Sequence, residues 1–301
     1  MDSKINRRAF VKNTSTMLAG MGLGLAAQGK SNEKNSLADI DKRKGIELAI
    51  ASICLDGFGD ENFKNVFEIV PKTGIKNIEF NVWYSRNFTP SGISSIMDRC
   101  YETGLRPISL QGTSFGGHVG KDVGHKMWLM EKAKELGCRR VKFTGSKRGT
   151  AGGLESVIEA LKALAPVAEE MDVVIAVENH ANNNIENIDD YKAIFDQVDS
   201  SHIGVCLDMG HFDGASVDNL EVVKEFHEKI NHVDIKDTIE FGKYKTVPYG
   251  QGVTKGEKII KALVEKNYTG YLIIEQAPPI EGMDLATEME RIRKIFTPFE
   301  K

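Results

Sequence analysis

Eight short apolar runs recur along this chain, and each is followed by a stretch with helical spacing. The runs are IELAIASI (46–53), IKNIEFNV (75–82), LRPISLQG (105–112), RRVKFTG (139–145), VVIAVEN (173–179), IGVCLD (203–208), INHVDIKD (230–237) and GYLIIEQ (270–276). Helices are predicted over ENFKNVFEIVPKTG (61–74), 91–103, 121–136, 153–170, 187–197, 217–229, 256–267 and 284–296. Gly74, Gly104 and Gly137 stand where three of these helices should stop, as C-terminal caps do. Apolar runs of this length read as strands covered on both faces, and strand–helix alternation builds a parallel sheet. Eight such units in about 255 residues match the size of a single-domain (β/α)8 TIM barrel. The competing architecture is an open doubly wound sheet. It usually has fewer strands and a Gly-rich first turn, and Gly57 and Gly59 in ICLDGFGDEN lack the full dinucleotide fingerprint.

The N-terminus is of different material. NRRAFVKNTSTMLAGMGLGLAAQGK carries Arg7, Arg8, Phe10 and Lys12 before a weakly apolar Gly/Ala-rich stretch. That layout is a secretory signal of the twin-arginine type over residues 1–29, and it predicts export to the periplasm. Residues 30–44, KSNEKNSLADIDKRK, read as a polar linker, and the barrel should occupy 45–301. No apolar run reaches the roughly 20 residues of a membrane span. A formal net charge of −4, with no basic block beyond the first residues, argues against nucleic acid as a partner. Cys54, Cys100, Cys138 and Cys206 are far apart and form no CxxC pair, so a metal knuckle is not expected. Cys54 and Cys206 fall in apolar runs and read as small core residues; an exported chain could oxidise one pair.

In parallel barrels the chemistry sits where strands end. Here the fifth run ends in Glu178, the sixth in Asp208 and the eighth in Glu275, and the seventh contains His232. Three carboxylates converging on one rim would repel one another and hold protons. A divalent cation removes that conflict, and three carboxylates with an imidazole suit Mn2+, Mg2+, Co2+ or Zn2+. Glu178, Asp208, His232 and Glu275 are therefore the expected metal ligands. Lys236 shares strand parity with His232 and should face the same pocket as an acid or oxyanion partner. Glu79 and Lys142, on the second and fourth runs, are candidate rim residues for substrate, as are His180, His118 and Trp83.

VENH, CLDMGH, HVDIKD, GQG and LIIEQ together resemble the sugar isomerase/epimerase barrels of the xylose-isomerase-like superfamily, over roughly residues 46–298. The resemblance implies one divalent metal on the four residues named above, with Glu178 and Glu275 as acid and base on opposite faces of the substrate. It also implies that His211 contacts sugar oxygens and that the VPYGQG loop borders the substrate. The expected activity is that of a metal-dependent isomerase or epimerase working by proton abstraction next to a carbonyl and a metal-stabilised enediolate. Two departures favour a rival of the same superfamily. Epimerases carry a second Glu where this chain reads ENHANNN, and an Arg where Lys236 and Lys243 are the nearest cations. The rival is a lyase or dehydratase on a keto sugar, 3-keto-glycoside or cyclitol. A family-related abasic-site endonuclease would need further His ligands and a basic face, and a non-catalytic sugar-binding barrel would show no proton exchange. The expected partner is a small-molecule carbohydrate; a homo-oligomer is compatible with the sequence.

Overall fold

The computed structural model describes residues 45–57, 62–276 and 282–300. The expected signal segment and linker lie outside the described residues. Within them the eight apolar runs close into a parallel barrel. Its strands are β1 (Ile46–Ala51), β2 (Asn77–Asn81), β3 (Arg106–Gln111), β4 (Arg140–Thr144), β5 (Val174–Glu178), β6 (Ile203–Asp208), β7 (Ile230–Ile235) and, eighth around the barrel, β10 (Gly270–Ile274). Neighbours pair in chain order, and β10 closes the ring against β1 through Ile46↔Gly270 to Ile50↔Ile274. Every residue of β5, β6, β7 and β10 is buried, which is why these segments read as apolar runs rather than alternating ones.

Between the strands run α1 (Ile53–Asp56), α2 (Lys64–Thr73), α3 (Pro90–Thr103), α4 (Val119–Glu135), α5 (Gly153–Met171), α6 (Ile188–Phe195), α7 (Met209–Gly214), α8 (Asn219–Phe226), α9 (Gly256–Glu265) and α10 (Leu285–Phe296). Their starts are written locally. Asn187 and Asp190 form a reciprocal capping box on α6, and Asp218 and Asp284 cap α8 and α10. Gly104 ends α3 in the left-handed region at φ 71°, with its N–H returned to Cys100 and Tyr101 carbonyls.

Three pieces of the chain depart from the sequence expectation. Ile53 and Cys54 belong to the short α1 and not to the first strand. Asp208 is followed at once by the one-and-a-half-turn α7. The segment after β7 is a hairpin, β8 (Thr238–Glu240) and β9 (Lys243–Thr246), whose mixed polarity gave no apolar period. All four cysteines are buried free thiols, so none of them forms the bridge that oxidation could have made. Among the described residues no helix is long and apolar enough to cross a membrane.

Candidate active site

The C-terminal mouth of the barrel gathers ionisable side chains from four strands or strand ends. Glu178, Asp208, Asp234 and Glu275 each offer a carboxylate oxygen within 4.8 Å of the others, and all four are buried. Three of these were expected from the sequence. The fourth was not: β7 contributes Asp234 to the set, and His232 stands one layer deeper. The reason is register. Both residues have the parity that points into the barrel, but Asp208 pairs with Asp234 while His232 pairs with Cys206, two residues earlier on β6. His232 Nε2 lies 3.1 Å from Asp234 Oδ1 and 3.2 Å from Glu79 Oε2. Burial pushes this imidazole down to about 3, although Glu79 opposes the shift, so it is a neutral ring that donates from Nε2 to the carboxylates beside it.

Two lysines run through the cluster. Lys142 Nζ contacts Asp234 Oδ2 at 2.7 Å, Glu79 Oε1 at 2.9 Å and Glu275 Oε2. Lys236 Nζ lies 2.7 Å from Asp208 Oδ2 and 2.9 Å from Glu275 Oε1. Its stem packs against Gly210, where an added Cβ would sit 2.9 Å from Lys236 Cγ, so the Gly of CLDMGH is what lets the lysine reach the cluster. Glu79 and Lys142 were expected at the rim as substrate contacts. Both are 0% exposed and belong instead to the layer beneath, where Ser109 Oγ also donates to Glu79 at 2.6 Å.

The two glutamates live in different surroundings. Glu275 is clamped by both ammonium groups; burial alone would raise its carboxyl, but Lys142 and Lys236 outweigh that and hold it well below the usual carboxylate range. Glu178 receives a hydrogen bond at 3.5 Å, the outer limit, from Gln111 Nε2, and burial holds its carboxyl well above the usual range. Burial also pushes Asp208 and Asp234 up to about 6, against the pull of the nearer lysine in each case. Asp208 does two jobs: Oδ1 caps α7 by accepting from His211 N–H at 2.9 Å, and Oδ2 faces the cluster. That second oxygen receives no aligned hydrogen bond, even with Lys236 2.7 Å away. Five carboxylates including Glu79 thus face two ammonium groups, leaving three negative charges uncompensated when all ionise. A divalent cation is what such a donor set fits, since it would relieve the surplus and take the weakly held oxygen of Glu178.

His211 and His180 form one wall. The His180 and His211 rings lie 3.7 Å apart, and Tyr244 from the hairpin stacks on His211 at 4.0 Å and 22°. Ala181 N–H donates to His211 Nδ1 at 3.3 Å, which leaves the ring proton on Nε2, 3.9 Å from Asp208 Oδ2. Burial lowers both imidazoles, so both are neutral. His118 and Trp83 stand apart from this wall. His118 is exposed at the N-terminus of α4, where its backbone N–H donates to Asp122, and Trp83 is 44% exposed just after β2.

Sequence reasoning overlooked several supporting residues. Asn179 locks the ends of β5 and β6 by accepting from Asp208 N–H at 2.9 Å and donating to Asp208 O at 3.1 Å. Asp237, wholly buried, accepts from the backbone N–H groups of Thr238, Gly250, Gly252 and Thr254 at 2.8 to 3.0 Å and so staples the VPYGQG loop to the end of β7. A Cβ at Gly252 would meet Asp237 Oδ1 at 2.3 Å, so that loop needs glycine there. The signal was present in the sequence: an Asp just past a strand, followed by a glycine-rich turn, asks where the turn's N–H groups go.

Comparison with known proteins agrees with this fold. An inosose dehydratase of Clostridium perfringens (strain 13 / Type A) is 27% identical over 284 residues, covering 84% of this chain and 89% of that protein. Among solved structures, the IOLI protein with a bound zinc atom superposes with a TM-score of 0.70 at 20% identity, over 84% of this chain and 97% of that one. A D-allulose 3-epimerase from Methylomonas sp., solved with D-allulose, gives 0.69 at 15% identity, over 85% and 98%. The Xylose isomerase-like TIM barrel family is matched over residues 67–295, which include the whole carboxylate cluster. The chain is an enzyme of the Xylose isomerase-like TIM barrel family.

Proposed function

We propose that this protein is a divalent-metal-dependent dehydratase acting on a keto-cyclitol or keto sugar. One observation carries the choice: the two glutamates are unequal. Epimerisation needs a base on each face of the substrate, and Glu275 is committed to two buried ammonium groups. Glu178 is free of such partners, and a buried, weakly hydrogen-bonded carboxylate is a strong base. The likeness to an inosose dehydratase supports the same reading. A cation held by Glu178, Asp208, Asp234 and Glu275 would supply Lewis acidity at the substrate carbonyl.

In this reading Glu178 removes the proton from the carbon beside the carbonyl. Lys236 Nζ donates a hydrogen bond to the carbonyl oxygen as it gains charge. Glu178, now neutral, hands its proton to the β-hydroxyl; the C–O bond breaks, water leaves, a C=C bond forms and the carboxylate is restored. In the same reading His211 Nε2–H and the half-buried His180 orient substrate hydroxyls. The test is to follow metal-loaded protein with a panel of keto-cyclitols and keto sugars in D2O by NMR and ultraviolet absorbance. Loss of water with growth of an enone band is expected, and Glu178→Gln should slow it by about 10²–10⁴-fold. Deuterium gain with an intact carbon and oxygen skeleton would instead establish the isomerase or epimerase reading, which the convergence of Glu178 and Glu275 on one site favours. Export through the twin-arginine pathway is proposed from Arg7, Arg8, Phe10 and Lys12. A mature periplasmic form beginning near residue 28 would support it, and an uncleaved cytoplasmic product would refute it.

A further inference from the structure

Four side chains share the cation-sized space at the barrel mouth, and every one of them offers oxygen. Nitrogen donors are close but turned to other duties. His232 sits one layer down and donates to Asp234 and Glu79. A His211 ring nitrogen also lies within 4.8 Å of carboxylate oxygens of Glu178 and Asp208, but its Nδ1 is engaged by Ala181 N–H, which leaves a protonated Nε2 facing Asp208. His180 Nδ1 is 3.0 Å from the Ala181 carbonyl. Asp234 itself is held in place from behind: His232 at Oδ1, and Lys142 with the Cys206 thiol, 3.1 Å away, at Oδ2. A residue oriented by three buried partners is built as a ligand position and does not owe its place to chance.

We propose that the site is an all-oxygen one, built for a hard cation such as Mn2+ or Mg2+ and lacking the advantage that an imidazole ligand gives Zn2+, with Asp234 as the residue that removes it. Zinc takes nitrogen and sulfur readily, and an imidazole in the donor set widens its advantage over manganese; a fourth carboxylate narrows it. The inference rests on the metal-dependent reading above and names the ion class for the same site.

The experiment uses purified full-length protein stripped of metal, with Mn2+ and Zn2+ as probes and binding as the readout. Equilibrium dialysis should place the two affinities within about 10-fold of each other in the wild type, and Asp234→His should raise the zinc-to-manganese ratio by at least about 10-fold. Pulsed electron paramagnetic resonance of bound Mn2+ should show no directly coordinated ¹⁴N in the wild type and should show it in Asp234→His. Should that variant fail to fold by circular dichroism, Asp234→Asn serves instead, with Mn2+ affinity expected to fall about 10-fold and no nitrogen coupling to appear. Nitrogen coupling in the wild type, a zinc preference above about 10-fold, or unchanged Mn2+ affinity in Asp234→Asn would overturn the all-oxygen assignment while leaving a metal enzyme standing. Failure of both ions to bind the wild type would overturn the metal-dependent reading itself.

Discussion

The barrel interior and the shell outside it each bury a lysine, and the two are treated in opposite ways. Lys142, on β4 inside the barrel, touches three carboxylates; burial would lower it, but Asp234, Glu275 and Glu79 hold it well above the ordinary lysine range. Lys126, on α4 in the shell, lies over the Phe115 and Phe143 rings and donates to the Thr113 and Ser114 carbonyls. Its nearest carboxylate, Asp122, is 3.9 Å away, and burial pushes it down to about 8. The same side chain at about 1% exposure or less is therefore a firm cation in one place and a reluctant one in the other. What differs is the local surplus of negative charge, and that surplus marks the barrel mouth as the place where a further cation belongs.

Replacing Lys142 is the severest way to break this contrast. Lys142→Met leaves Glu79, Asp234 and Glu275 buried without their shared cation and should cost about 3–5 kcal/mol of unfolding free energy. Urea titration measures it, and a loss under about 1 kcal/mol would mean that the interior carboxylates are already neutral. Adding a cation should sharpen the contrast from the other side. At 100 times its dissociation constant, Mn2+ should stabilise the wild type by about 2.7 kcal/mol, and the gain should shrink in Asp208→Asn. A calorimetric scan with and without the ion reads both.

The shell lysine gives a pH signature that the interior one cannot. Between about pH 8 and 10.5 the unfolded chain holds the Lys126 proton and the folded chain has lost it, so stability rises with pH across that window. Relative to Lys126→Met, the wild type should gain about 2 kcal/mol between pH 8 and 10. Parallel pH profiles of the two proteins would show that Lys126 stays fully charged in the fold. The smallest effect is expected at Glu178. Glu178→Gln replaces a carboxyl that burial already holds in its neutral form, so it should change the stability of the metal-free protein by less than about 1 kcal/mol even as activity is lost. A larger loss would show that the bond from Gln111 carries structural weight.

Much of this was legible in the residue order. Strand and helix limits agree with the expectation to within a few residues because each barrel strand is a buried run bounded by polar turn chemistry. The charged strand ends Glu178, Asp208 and Glu275 stood out for the same reason: a charge closing an apolar run has nowhere to be but the mouth. The hairpin at Thr238–Thr246 was missed because its residues alternate in exposure without an apolar face of their own; it leans on α7, with Tyr244 lying over the His211 ring.

The sequence alone therefore determined the barrel and the end of it that carries the charges, since both follow from the period and limits of apolar runs. Only the tertiary structure decided which inward residue of β7 reaches the mouth. His232 and Asp234 have identical parity, and nothing local separates them. The pairing of Asp208 with Asp234, and of Cys206 with His232, does so, because depth in a barrel is set by register between strands that lie far apart in the chain. The same holds for Lys142 and Lys236: their partners come from strands 30 or more residues away in most cases, and only closure of the ring brings the charges to within reach of one another.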